Sequence, residues 1–105
     1  MARRVETKND VMKTLYENRL LFRSIGVRRL GLFGSFVREQ QSAASDVDIL
    51  VEFEEGQKTF DHFRQWSLLL EELLCRPMEV VTPESLSPYL GPHILREVEY
   101  VPVAA

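Results

Sequence analysis

The segment Val47-Asp48-Ile49-Leu50-Val51-Glu52-Phe53 constrains the fold more than any other part of this 105-residue chain. Side chains alternate across an extended backbone, so its apolar residues (Val47, Ile49, Leu50, Val51, Phe53) fall on both faces. A strand apolar on both faces needs cover from both sides. The flanking sequence supplies it. The spacing predicts a helix from about Asn9 to Ser24, capped by Asn9 or Asp10, with Val11, Leu15 and Phe22 on one stripe. Gly26 lies where a left-handed cap is wanted. A strand over Val27–Phe33 puts Leu30 and Leu32 on one face, Gly31 and Phe33 on the other, and runs into a turn at Gly34-Ser35. The polar stretch from Phe36 to Ser45 reads as a short helical turn and a loop.

Downstream, Thr59 is placed to cap a helix reaching about Leu74. Phe60, Phe63, Ser67, Leu70 and Leu74 form its core stripe, widened by Trp66, Leu69 and Leu73. Arg76-Pro77 ends it, and Met78–Val81 is a third strand. Thr82-Pro83-Glu84 opens another helix, His93 to Glu99 forms a last short one, and Val101 to Ala105 is a tail. The order α-β-turn-β-α-β-α defines an α/β (α+β) fold: a small mixed sheet of three to four strands flanked by helices, in one domain spanning residues 1–105.

Composition excludes several classes. Hydrophobic residues at 45% and charged residues at 28% are ordinary for a packed domain and exclude intrinsic disorder. The balance of 13 basic and 16 acidic residues, net −3, argues against coating nucleic acid, so no direct nucleic-acid partner is expected. A single cysteine, Cys75, permits neither an internal disulfide nor a cysteine zinc site; it suits a reducing cytoplasm and reads as a half-buried, inert thiol. No apolar run approaches the roughly 20 residues that span a bilayer, and the polar Thr7-Lys8-Asn9-Asp10 is no signal-peptide core.

The acidic residues that stand out are Asp46, Asp48 and Glu79. Asp46 and Asp48 are two apart at the mouth of a strand and share a face. Neighbouring carboxylates repel, and a divalent cation is the common compensation; Mg²⁺ takes oxygen ligands of this kind. Glu79 interrupts Met78-Val80-Val81, where an apolar residue would serve a core better. If its strand pairs with the aspartate strand, all three carboxylates face one point, enough for two metal ions or one ion and a base. Gly34-Ser35 follows a strand and precedes a helical turn, a place where backbone N–H groups and a hydroxyl bind phosphate. Together they outline a site for a Mg²⁺-bound nucleoside triphosphate.

The joint pattern is Gly34-Ser35, ten residues from Phe36 to Ser45, then Asp46-Val47-Asp48. It resembles the minimal nucleotidyltransferase family, the smallest members of the DNA polymerase β superfamily. The flanks Arg29-Leu30-Gly31-Leu32-Phe33 and Ile49-Leu50-Val51, and the stretch from Leu73 to Leu86, are similar too. The resemblance implies a polymerase β palm-like fold. It implies that Gly34 and Ser35 hold the triphosphate of ATP, that Asp46 and Asp48 bind Mg²⁺, and that Glu79 is the third carboxylate. Arg38 matches a loop arginine that touches phosphate; Glu39 stands where a glycine is frequent. The implied reaction transfers AMP from ATP to a hydroxyl. The implied partner is a HEPN-type ribonuclease toxin, modified on a tyrosine, with this chain as antitoxin. A binding module that silences the partner by contact is the alternative, and transfer to a small molecule such as an aminoglycoside is a third reading. Tyr89, Leu90, Ile94, Leu95 and Tyr100 offer a docking face, and self-association stays open.

Overall fold

Thr7 starts the first helix. Its hydroxyl accepts the Asp10 N–H at 3.1 Å, while the Asp10 carboxylate accepts the N–H groups of Thr7 at 3.1 Å and Glu6 at 3.0 Å. The cap is therefore Thr7, not Asn9 or Asp10; Asp10 is the returning half of a capping box. The expected single helix is two: α1 (Lys8–Glu17) and α2 (Arg19–Ser24). They part at Asn18, whose side-chain amide donates to the Thr14 carbonyl at 2.8 Å and competes with the backbone ladder. The computed structural model describes residues 3–101; the expected tail past Val101, like Met1 and Ala2, lies outside them.

The sheet contains β1 (Val27–Phe33), β2 (Val47–Phe53), β3 (Met78–Val81) and β4 (Glu99–Val101) in the order β3-β2-β1-β4. β2 runs antiparallel to β1 and parallel to β3, and β4 lies antiparallel on the other side of β1. The sheet is mixed, as expected. β4 replaces the end of the last expected helix, which spans instead Gly91–Glu97 (α4). Gly31 admits it: a Cβ there would lie 2.5 Å from Val98 Cγ2 and 3.0 Å from the Glu99 carbonyl oxygen. The expected helix at Thr82 is only a 3₁₀ turn, Pro83–Ser85, with Pro88 close behind to disfavour continuation.

The long helix α3 (Phe60–Leu74) is capped by the Thr59 hydroxyl, which accepts the His62 N–H at 3.1 Å. It lays Trp66, Leu70 and Leu74 on the sheet face that also buries Leu30, Leu32, Ile49 and Val51. Phe22 and Phe53 each meet the Trp66 ring edge-on, both with centroids 6.3 Å away. Leu50 is buried on the opposite face of β2. Two expectations fail at the helix ends. Phe60, its first residue, projects past the packed stripe and is 80% exposed. Cys75 is exposed rather than half-buried, because it closes the helix in the left-handed conformation at φ 52°.

Arg76 is buried immediately after α3. Its guanidinium donates to the carbonyls of Val5 at 3.1 Å and of Ser42 and Ala43 at 3.0 Å each, and lies 4.9 Å from the centre of the Phe36 ring. One side chain thus ties the N-terminal segment to the loop between β1 and β2. Replacing Arg76 with Ala leaves the buried Val5 carbonyl without its guanidinium donor and removes a buried side chain packed on Phe36, and is expected to cost roughly 1–3 kcal/mol. Urea denaturation followed by Trp66 fluorescence measures it.

Candidate active site

Phe33 ends β1 opposite Asp48 of β2. The chain then turns at Gly34 with φ +78°, a conformation costly for any residue with a Cβ. Space enforces the same choice: a Cβ on Gly34 would overlap the Asp48 carboxylate and lie 2.8 Å from its Cγ. The turn continues as one helical winding, with Arg38 N–H donating to the Gly34 carbonyl at 3.2 Å and Gln40 N–H to that of Ser35 at 2.8 Å. Glu39 leaves it at φ 57°, the conformation a glycine would take without strain. Phe36, fully buried beneath Arg76, anchors the winding; its polar surroundings in sequence gave no sign of a core residue.

On the other side of Asp48, the parallel register puts Glu79 directly opposite it. Paired strands lie about 4.8 Å apart, so the two carboxylates start from neighbouring positions on one face. Asp46 sits exposed just before β2. The proximity of all three shows in Asp48. Its pKa is pushed up to about 6, first by burial and then by the charges of Glu79 and Asp46; Arg38 opposes this and Glu97 adds to it.

The structure brings Gly34, Arg38, Asp46, Asp48 and Glu79 to one end of the sheet, with Ser35 in the turn between them. It does not gather the carboxylates around an ion: among the described residues, no group of three or more His, Cys, Asp or Glu side chains has metal-holding geometry. The donor chemistry fits Mg²⁺ nonetheless, since every candidate ligand is a carboxylate oxygen. Mutual repulsion, visible in Asp48, is what a divalent charge relieves. Asp46 and Glu79 are exposed and Asp48 is half-buried between them. A groove of about 670 Å³ elsewhere, walled by Leu21, Ile25, Asp61 and Leu68, contains none of these residues.

Sequence reasoning missed Glu97. Its Oε2 accepts the Gly34 N–H at 2.7 Å, and both oxygens accept from Arg38 Nη1, at 2.8 and 3.1 Å. No spacing signals the contact; it exists because α4 ends where β4 docks on β1.

The nucleotidyltransferase domain model matches residues 13–101. Protein adenylyltransferase MntA of Thermococcus cleftensis is 43% identical over 76 residues, covering 72% of this chain and 76% of that protein. A solved structure assigned as a minimal nucleotidyltransferase superposes with TM-score 0.67 at 35% identity, covering 84% of this chain and 93% of the other. A toxin–antitoxin structure with AMP-PNP matches with TM-score 0.58 at 25% identity, covering 90% and 72%. The fold is thus that of a nucleotidyltransferase enzyme. More narrowly, the chain belongs to the minimal nucleotidyltransferase family.

The raised pKa of Asp48 carries a consequence for stability. The unfolded chain loses this proton near pH 3.8 and the folded chain only near 6, so the folded state binds more protons between those values. The contribution of Asp48 to stability is expected to fall as pH rises through that window and to level off above it, against the opposite contributions of Asp10 and Glu84, whose carboxyls are held below their usual range by hydrogen bonds. Asp48→Asn removes that contribution and is expected to gain about 1–2 kcal/mol at pH 7, after allowance for solvent screening of a half-exposed group. Urea midpoints of both proteins from pH 4 to 7 would show it; parallel curves would contradict it.

Proposed function

We propose that this chain transfers AMP from ATP to a hydroxyl of a partner protein and serves as the antitoxin of a toxin–antitoxin pair. The acceptor is a tyrosine of a HEPN-type ribonuclease. The observation that carries the reading is the register of Asp48, held between the Gly34 turn and Glu79. It sets anion donors and carboxylates side by side, as transfer from a triphosphate needs. The name of the Thermococcus relative and the AMP-PNP in the toxin–antitoxin structure support adenylyl as the group moved and a toxin as the partner.

In this reading the Gly34 N–H, the Ser35 hydroxyl and the Arg38 guanidinium hold the β- and γ-phosphates and fix the α-phosphate for in-line attack. Asp46 and Asp48 would hold Mg²⁺, which when bound neutralises phosphate charge and orients the displacement. Asp48, with its pKa near 6, is largely ionised at neutral pH. Glu79 is exposed at the rim and accepts the proton of the attacking hydroxyl. The acceptor oxygen bonds to the α-phosphorus, the bond to the β-phosphate oxygen breaks, and pyrophosphate leaves.

A second reading, neutralisation by contact alone, draws on the exposed Tyr89, Leu90 and Leu95 around α4. One experiment separates the two. The chain is incubated with Mg²⁺, the partner and ATP labelled on the α- or the γ-phosphate. Enzymatic transfer puts α-label alone on the partner, and Asp46→Asn lowers it roughly 100-fold or more. A partner silenced equally by both proteins, without label, would establish the contact reading instead.

A further inference from the structure

Glu97 occupies the donors that the proposed function gives to phosphate. We propose that Glu97 is a built-in competitor for the phosphate subsite, a tethered carboxylate that nucleotide must displace to enter. The inference rests on reading Gly34 and Arg38 as phosphate donors.

The geometry supports competition. A backbone N–H has one hydrogen, and that of Gly34 is engaged by Glu97 Oε2 at 2.7 Å. Arg38 Nη1 is engaged by both carboxylate oxygens of the same residue. A carboxylate bound in this bidentate way presents the charge and the paired acceptors that a phosphate oxygen pair would present. It also adds negative charge beside Asp46, Asp48 and Glu79, where an incoming polyanion meets repulsion.

The contact is a product of the fold rather than of one free side chain. β4 pairs with β1 at Leu30, Gly31 and Leu32, just before the Gly34 turn. The absence of a side chain at Gly31 lets Val98 and Glu99 close on β1, and this carries the preceding residue, Glu97, to the turn. Yet the pair is not sealed. The Arg38 side chain is 50% exposed and that of Glu97 27%, so water reaches both and Glu97 has somewhere to go. An exposed pair of this kind is weak enough for a ligand of higher charge to break.

Because the nucleotide-competent state is only part of the population, its apparent affinity is reduced by that fraction. Isothermal titration of the full chain with Mg-ATP, Mg-tripolyphosphate and adenosine tests this in wild type, Glu97→Gln and Glu97→Ala. Both variants are expected to bind ATP and tripolyphosphate about three- to tenfold more tightly, with adenosine unchanged. A structural role alone would not split phosphate-bearing ligands from the nucleoside. Equal or weaker ATP binding by the variants, with wild type still binding, overturns the competitor and leaves the proposed function standing. Variants that no longer fold overturn it too, since Glu97 would then belong to the scaffold. If neither wild type nor variants bind ATP or tripolyphosphate, the proposed function fails and the competitor with it.

Discussion

The close passage of Gly34 over Asp48 governs the rest of the site. β1 ends at Phe33, paired with Asp48, and the chain must reverse directly above that carboxylate. Only a residue without a Cβ can do so, for two separate reasons: the positive φ, and the overlap with the Asp48 side chain. The result is a backbone amide held beside a carboxylate that burial has made reluctant to ionise. Neither feature serves stability. A half-buried acid and a turn open only to glycine are costs that a fold tolerates where they position chemistry.

The scaffold that bears those costs lies on both sides of the irregular loop. Beneath it, Trp66, Phe22, Leu32 and Ile49 form a packed layer that fixes β1 and β2. Across it, Arg76 replaces regular hydrogen bonding, collecting the carbonyls of Val5, Ser42 and Ala43 that no strand or helix satisfies. Phe36 fills the space under that guanidinium. The loop can therefore be polar and irregular while its two ends, Gly34 and Asp46, stay on rigid elements.

What the sequence disclosed follows the length scale of each element. α3 is legible because its apolar stripe runs over about four turns, and β1, β2 and β3 because short apolar runs are bounded by Gly34, by Gly56 and by Arg76-Pro77 and Pro83. Asp48 and Glu79 were legible because charge in an apolar strand is conspicuous. β4 was not: three residues carry no period, and their pairing depends on a missing side chain at Gly31. The break at Asn18 and the Thr7 cap hinge on single side-chain hydrogen bonds, between which composition cannot choose. Phe60 matched the helical stripe in sequence but lies one turn too early to reach the sheet. Glu97 lies 63 residues beyond Gly34 and meets it only through β4, so nothing local announced it.

Charge at this end of the sheet is lopsided. Among the described residues, the charges that act on Asp48 are those of Asp46, Glu79 and Glu97 against the guanidinium of Arg38, and that guanidinium already pairs with Glu97. A bare triphosphate would approach a surface of its own sign, with one turn amide and one shared arginine to attract it. In the proposed reaction Asp46, Asp48 and Glu79 would hold the cation and Arg38 would take phosphate, and a magnesium-bound triphosphate would arrive with part of its charge neutralised. Such an arrangement discriminates by charge distribution rather than by net charge. On the proposed function, a ligand would bring positive charge for Asp46, Asp48 and Glu79 and negative charge enough to take Arg38 from Glu97. Few anions other than a metal-bound polyphosphate satisfy both demands at once.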